Sequence, residues 1–235
     1  MAFHFSPRIV KDGLVLYLDA ANTKSYPSTG DIWNDLSGNM NNGTLLGTPT
    51  FNTSNGGNID FDGINDYTNI PNAASEINDL NISIGCWINQ NTIHTSNVFN
   101  EIKMIAQLSA TEPGNSSTFY LHLRNSGVIW RYQRGFNQFN FSPAATQEIG
   151  KWAYYVGVSD TNNISLYKNG LLVGSTANNV SYLTLANNDI NLAKGEFDNT
   201  FFDGKISNVQ IYNRSLSSSE VLQNYNSIKS RYGLW

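Results

Sequence analysis

Short segments of the chain alternate apolar and polar residues with a period of two, and this pattern predicts half-buried β-strands. In NISIGCWI, Ile82, Ile84 and Cys86 fall on one face of such a strand, while Ser83 and Trp87 fall on the other. The segments TFYLHLR and WAYYVGVSD repeat the alternation. Each of these strands is expected to present one face to an apolar core.

A tight hairpin is the clearest local signal. Asn169 and Gly170 lie between the two apolar runs of ISLYKNGLLVGS. A two-residue type I′ turn requires positive φ angles at both central positions, and Asn-Gly is the pair that adopts them most readily. The sequence therefore predicts two antiparallel strands joined at this point.

One amphipathic helix is predicted near the C-terminus. Ser217 and Glu220 have the spacing of a capping box, in which each side chain accepts a hydrogen bond from the main chain of the other residue. The apolar stripe that follows consists of Val221, Leu222, Tyr225, Ile228 and Tyr232. We expect the helix to pack on the flank of the strands, with docking of a partner as the alternative.

Many short strands separated by turn residues, without alternating helices, predict an all-β fold. The expected architecture is a two-sheet antiparallel sandwich with one short C-terminal amphipathic helix. Residues 13–235 are expected to form a single domain, because no repeat or change of composition divides them. Residues 1–12 precede the first predicted strand and are expected to form an N-terminal arm.

The composition argues against several classes of partner. Charged residues make up 14% of the 235 residues, the net charge is −4 and Lys and Arg do not cluster, so we expect no nucleic acid and no anionic membrane surface. No apolar run has the length of a membrane span, and Pro7, Arg8 and Lys11 interrupt any signal-like segment. The single cysteine, Cys86, is expected to be a buried thiol rather than part of a disulfide.

The stretch NIDFDGINDY places three carboxylates around one glycine. Asp62, Asn65 and Asp66 could supply oxygen ligands to a calcium ion from one tight turn. The alternative is a simple turn, because Asp, Asn and Gly are the residues that turns prefer. The sequence favours the turn, and calcium is kept as a candidate cofactor.

A carbohydrate-binding surface is a second candidate. In GVIWRYQRGFNQFNF, Trp130, Tyr132 and Arg134 share one strand face, and Phe136 follows in a loop-like stretch. Exposed aromatic rings beside Arg and Asn can stack on sugar rings while hydrogen-bonding to their hydroxyl groups. The alternative, which is favoured, is that these rings fill the space between the two sheets.

Several segments, taken in order, resemble the concanavalin A-like lectin/glucanase superfamily, and within it the laminin G-like jelly-roll branch. They are GLVLYLDAANTKSYP, WNDLSGNMNNGTL, FDGINDY, ISIGCWI, KWAYYVGVSDTNNISLYKNGLLVGS and FFDGKISNVQIYNRSLSSSEVLQNY. The resemblance covers nearly the whole chain and implies a jelly-roll topology for residues 13–235. The segment from Pro7 through DLSGN also resembles structural and appendage proteins of tailed bacteriophages.

Catalysis is not expected. Glucanases of this superfamily carry a Glu-x-Asp-x-x-Glu strand motif, whereas this chain has Glu196 and Asp198 followed by Phe201 in place of the last carboxylate. Retaining hydrolysis needs two carboxyl groups, which half a motif does not provide. No nucleophile elbow is present, and the histidines lack partner spacing. His122 is expected at the surface or within a sheet.

The resemblance therefore implies a non-enzymatic surface component of a bacteriophage virion, either a capsid decoration or a tail or appendage protein. Expected partners are other virion proteins, with several copies on each particle. The first alternative is an adhesin that recognises host-surface glycans. The second is a glycan-active hydrolase with an incomplete catalytic motif.

Overall fold

The computed structural model describes residues 7–77, 81–98, 103–109, 117–134, 138–178, 189–195 and 200–235. The side chains of residues 75, 109, 117, 118, 132–134 and 138–141 lie outside this description. The first strands are β1 (Leu14–Asp19), β2 (Ile32–Trp33), β3 (Gly43–Leu46), β4 (Thr50–Asn52), β5 (Asn58–Asp62), β6 (Tyr67–Ile70), β7 (Ile82–Gln90) and β8 (Lys103–Ser109).

The remaining strands are β9 (Ser117–Arg124), β10 (Gly127–Arg134), β11 (Gln138–Phe141), β12 (Ala145–Thr146), β13 (Ala153–Ser159), β14 (Asn163–Lys168), β15 (Leu171–Ala177), β16 (Ile190–Leu192) and β17 (Asp203–Tyr212). The helix α1 spans Ser218–Ile228, and short 3₁₀ turns lie at Ser54–Gly56, Ala73–Glu76 and Lys229–Tyr232. No helix in the described ranges is long and apolar enough to cross a bilayer.

Two antiparallel sheets form the sandwich. The first sheet has the order β15-β14-β13-β7-β17-β5-β4, and β1 also pairs with β17. The second sheet has the order β11-β10-β9-β8-β16-β6-β3-β2, and β12 pairs with β10. Neighbours in space are often distant in sequence, as expected for a jelly roll. The predicted all-β, two-sheet antiparallel architecture with one short C-terminal helix is therefore confirmed.

The main core lies between the two sheets. Ile82, Ile84 and Cys86 of β7 point into it and are fully buried, as the alternation of the sequence predicts. Burial raises the pKa of the Cys86 thiol well above its ordinary value, so this residue behaves as a small apolar side chain. The prediction of a buried free thiol is confirmed.

A second core covers the outer face of the first sheet. Trp87 is fully buried there, and its ring centroid lies 5.3 Å from that of Tyr154, 5.6 Å from that of Tyr225 and 4.3 Å from that of Tyr232. The expectation that each strand has one buried face is therefore wrong for β7 and β13. Both of their faces are buried, because α1 and the turn after it lie across the sheet.

The helix begins as its sequence predicts. Ser217 Oγ accepts a hydrogen bond from the Glu220 N–H at 3.3 Å, and Glu220 Oε2 accepts one from the Ser217 N–H at 2.8 Å. The Arg214 guanidinium, 2.6 Å from Glu220 Oε1, lowers the pKa of that carboxyl to about 2. Within the predicted apolar stripe, Leu222 is exposed, whereas the polar Asn224 is buried.

The described part of the expected N-terminal arm lies on this second core. Ile9 and Val10 are buried. The Val10 N–H donates to Asn224 Oδ1 at 2.8 Å, and the Tyr212 hydroxyl donates to the Val10 carbonyl at 3.1 Å. Asn224 Nδ2 donates in turn to the Tyr212 hydroxyl oxygen at 2.9 Å. The segment is thus docked on the first sheet, while the boundary between an arm and a domain stays a prediction.

The hairpin between β14 and β15 is confirmed. Asn169 and Gly170 have φ angles of 52° and 81°, both in the left-handed region that a type I′ turn requires. Asn169 Oδ1 also accepts a hydrogen bond from the Tyr154 N–H at 2.9 Å. The turn therefore fastens the hairpin to the neighbouring strand.

Candidate functional site

The acidic stretch NIDFDGINDY ends β5 and turns into β6. Asp62 Oδ1 accepts hydrogen bonds from the main-chain N–H groups of Ile64 at 2.8 Å, Asn65 at 3.2 Å and Asp66 at 3.4 Å. Gly63 has a φ of 73°, a conformation that glycine adopts without strain. The Asp62 carboxylate thus organises the turn, which is the interpretation that the sequence favours.

Asp66 ties this turn to the segment before β4. Its Oδ1 accepts from the Thr48 N–H at 2.6 Å, and its Oδ2 accepts from the Asp62 N–H at 3.1 Å. Only 3% of Asp66 is exposed. A Cβ on Gly47 would lie 2.5 Å from Asp66 Oδ1, so the absence of a side chain at position 47 allows this approach.

The two carboxyl groups differ in their electrostatics. Burial raises the pKa of Asp62, but the main-chain N–H groups of Ile64, Asn65 and Asp66 outweigh it, and the net pKa is lowered. Burial also raises the pKa of Asp66, and there the N–H groups of Thr48 and Asp62 do not offset it, so the net pKa is raised. The Asp62 carboxyl group therefore loses its proton at a lower pH than that of Asp66.

An open cleft of about 290 Å³ lies beside the turn. Its lining consists of Thr48, Thr50, Asp60, Phe61, Asp62, Asp66 and Asn91. Lys205 borders the cleft, with Nζ 3.2 Å from Asp60 Oδ2 and 3.4 Å from Asn91 Oδ1. Carboxylate, amide and hydroxyl groups side by side can both accept hydrogen bonds from a polar ligand and donate to it.

The predicted calcium ligands are close in space, but the carboxylates of Asp62 and Asp66 already accept hydrogen bonds from the main chain. Three of the four carboxylate oxygens of Asp62 and Asp66 already accept main-chain N–H groups, and Asn65 is exposed. Calcium takes six to eight oxygen ligands. Across the described ranges, no three His, Cys, Asp or Glu side chains converge as they do around a metal. Calcium at Asp62, Asn65 and Asp66 stays a prediction.

Of the predicted sugar-stacking residues, the structure describes the side chain of Trp130 alone. Trp130 is fully buried between the sheets, and its ring stacks on Phe119 with centroids 5.4 Å apart. The prediction that Trp130 belongs to a binding surface is therefore wrong, because its ring is part of the core. Tyr132 and Arg134 belong to β10, but their side chains lie outside the described part of the chain, as does Phe136 altogether.

The opposite face of the second sheet carries polar residues instead. A row across the strands, following the pairing register, consists of Asn69, Asn191, Gln107, Tyr120 and Arg131. The Arg131 guanidinium lies 5.4 Å from the centroid of the Tyr120 ring. Burial lowers the Arg131 pKa to about 10. Alternation in TFYLHLR indicates this face, whereas Asn69 of β6 and Asn191 of β16 come to it from strands that are distant in sequence.

His122 belongs to the same face and is completely buried. Of the two positions predicted for it, the surface or the interior of a sheet, His122 occupies the second. Burial and the nearby positive charges of Arg131 and Arg124 lower its pKa to about 3. The imidazole is therefore neutral at physiological pH.

The carboxylates of the incomplete glucanase motif are not among the described residues. Glu196 and Asp198 lie outside the described residues. Phe201, which stands where the last carboxylate of the motif would be, is buried, and its ring centroid lies 6.3 Å from that of Tyr67. At that position the side chain packs against another ring.

Comparison with known proteins bears on the family and the fold. A family model described as the concanavalin A-like lectin/glucanases superfamily matches residues 61–222. A search of curated protein sequences finds no match. Among solved structures, domain 4 of AbnA, an extracellular arabinanase from Geobacillus stearothermophilus in complex with arabinotriose, superposes with a TM-score of 0.69 and 17% identity, covering 90% of this chain and 98% of that domain.

Two further structures are similar over almost the whole chain. The receptor binding domain of botulinum neurotoxin C/D mosaic serotype has a TM-score of 0.67 and 18% identity, with 92% of this chain and 51% of that domain covered. Trypanosoma rangeli sialidase in complex with sialic acid has a TM-score of 0.64 and 16% identity, with 93% and 33% covered. The chain thus spans about half of the neurotoxin domain and a third of the sialidase, and these likenesses show the fold alone.

Proposed function

Because the chain belongs to the concanavalin A-like lectin/glucanases superfamily, we propose that it is a non-catalytic binding domain whose cleft beside the β5–β6 turn takes a glycan. The observation that carries this proposal is the cleft of about 290 Å³, lined by hydroxyl, amide and carboxylate groups. Ligand pockets commonly measure about 300–1,000 Å³. A cleft of this size suits one or two sugar rings.

The chemistry of the lining supports a polyhydroxyl ligand. Sugar hydroxyl groups donate to carboxylates and accept from amide, hydroxyl and ammonium groups, and the cleft offers both kinds of partner in Asp60, Asn91, Thr50 and Lys205. The arabinanase domain and the sialidase were solved with arabinotriose and sialic acid respectively. These complexes make a saccharide the first ligand class to test.

We place this domain on the surface of a bacteriophage virion, in several copies, where the cleft would meet glycans of the host. The resemblance of the segment from Pro7 through DLSGN to phage structural proteins supports this context. A purely structural decoration role is the alternative, and it predicts a particle-bound protein without glycan affinity.

Glycan binding is tested on an array, followed by calorimetric titration of the best ligand. Asn91→Ala and Thr50→Ala should each weaken binding about tenfold, the effect of one lost hydrogen bond in a binding site. Asn162→Ala, an exposed asparagine outside the cleft lining, should bind as the wild type does. Failure to bind any glycan, or full affinity in Asn91→Ala, would refute the cleft proposal.

Two further measurements separate the alternatives. Mass spectrometry and antibody labelling of purified particles should find the protein on the virion, and its absence there would remove the phage context. The hydrolase alternative predicts release of reducing ends from oligosaccharides at high protein concentration. We expect none.

Calcium is proposed as a companion of the cleft, held by Asp62, Asn65 and Asp66. If it binds, saturation at 100 times Kd should add about 2.7 kcal/mol to the free energy of unfolding. Melting in calcium and in EGTA measures this difference, and Asp62→Asn should abolish it. Asp160→Asn is the matched control, because Asp160 Oδ1 also accepts two main-chain N–H groups of a turn. Equal melting of the wild type in both buffers would exclude the ion.

A further inference from the structure

The strand β15 is the most exposed apolar element of the described chain. It ends the first sheet, and no other described strand pairs with its outer edge. Leu171 is 70% exposed, Leu172 is 55% exposed and Val173 is 37% exposed. Large apolar side chains this accessible on consecutive residues of one strand mark an interaction surface.

The helix α1 extends this surface. Leu222 is 41% exposed, and its Cδ1 lies 2.8 Å from where a Cβ on Gly170 would stand. Gly170 immediately precedes β15, so the Leu222 side chain lies over the start of the strand. Leu171, Leu172, Val173 and Leu222 together form what we call the β15 patch.

The sequence of β15 lacks most of the usual protection of an edge strand. Soluble proteins commonly place charges or proline on such edges, because unpaired main-chain groups recruit other strands. Leu171–Ala177 contains neither a charged residue nor proline. One β-bulge, opposite Leu166 and Tyr167, is its only irregularity. By contrast β2, which ends the second sheet, is two residues long.

We propose that the β15 patch is a two-fold interface between two copies of this chain. An uncharged edge strand is complementary to itself, because antiparallel pairing across a two-fold axis brings its outward-facing main-chain donors opposite outward-facing acceptors of the same strand in the other copy. The apolar residues of the patch then cover their own counterparts. A charged partner strand would gain no ion pair here, which favours a second copy.

The estimated contact area indicates a weak dimer. A strand of seven residues is about 23 Å long, and a sheet with a helix on one side is about 20 Å deep, so the contact covers roughly 500 Å² per copy. The total of about 1,000 Å² is at the lower limit of specific interfaces. The dimer should therefore dissociate in the range of about 10–100 µM, a concentration that several copies fixed on one particle would exceed.

Sedimentation velocity of the full chain between about 5 and 500 µM tests the proposal. The wild type should shift from monomer to dimer, and Leu172→Lys and Leu222→Lys should each weaken association at least tenfold. Ile32→Lys is the matched control, since Ile32 is 42% exposed on the short edge strand β2, and it should dimerise as the wild type does. Circular dichroism confirms that each variant is folded.

A wild type that stays monomeric at 500 µM would overturn the inference. So would a dimer that Leu172→Lys and Leu222→Lys leave intact, or one that Ile32→Lys dissolves. None of these results depends on whether the cleft binds a glycan.

Discussion

The outer faces of the two sheets are opposite in character. On the first sheet, Trp87, Tyr154 and Val156 are sealed under α1 and the segment that holds Val10. On the second sheet, the outer face carries polar residues such as His122 and the row from Asn69 to Arg131. The first face is therefore a second core, and the second face is built from hydrogen-bonding groups.

This difference indicates where function can lie. A face that is sealed by stacked aromatic rings contributes stability and offers nothing to a ligand. The two proposed binding features, the cleft beside Asp62 and Asp66 and the exposed strand β15, lie outside this covered face. The covered face of the first sheet is expected to stabilise the fold, and the following predictions test that division.

The largest effect is expected from breaking the aromatic stack. Trp87→Ala should lower the free energy of unfolding by about 3–5 kcal/mol, because it removes a buried ring that contacts Tyr154, Tyr225 and Tyr232 and leaves a cavity. Denaturant titration measures the change. Trp235→Ala, at a residue that is 93% exposed, is the control and should have almost no effect. A loss below 1 kcal/mol in Trp87→Ala would mean that the face is not a core.

The N-terminal segment is expected to be part of the seal. Asn224→Ala should cost about 2 kcal/mol, since it leaves the buried Val10 N–H without its acceptor and the Tyr212 hydroxyl without a donor. Hydrogen exchange at Val10 should accelerate in this variant. Asn162→Ala should leave both stability and exchange unchanged, and unchanged exchange in Asn224→Ala would separate the segment from the core.

The polar face should make the free energy of unfolding depend on pH. The pKa of His122 is about 3 in the folded chain and about 6.5 when unfolded, so below pH 6.5 the unfolded state binds a proton that the native state does not. Stability should therefore fall by roughly 1 kcal/mol per pH unit as the pH is lowered from 6.5 towards 3. His122→Gln should remove this component from the pH dependence of denaturant unfolding. If the free energy of unfolding changed with pH equally in the two proteins, burial would not lower the pKa of His122.

The smallest effect concerns the start of the sealing helix. Ser217→Ala should cost about 1 kcal/mol, because the Glu220 N–H loses its acceptor. Ser218→Ala, one residue inside the helix and exposed, is the control and should be nearly neutral. Thermal melting distinguishes the two. Equal stability would mean that the Arg214 contact to Glu220 holds the helix start without the cap.

Features that depend on neighbouring residues follow from the sequence, whereas the surroundings of a strand face do not. The alternation around Trp130 showed which residues share a side of β10, but it allowed that side to be exposed, and the structure buries it against Phe119. The alternation predicts Trp87 on the face opposite the core, and the helix covers that face. Alternation assigns the residues of a strand to its two faces, but it carries no information about which segments cover each face.

The amino-acid sequence by itself determined the all-β class, the turn at Asn169-Gly170 and the capping box at Ser217 and Glu220, because each depends on residues only a few positions apart. The tertiary structure decided that Trp87 and Trp130 are both interior, and that Asp66 reaches the Thr48 N–H. These outcomes depend on segments that are distant in the chain and are brought together only when the sheets and helix pack.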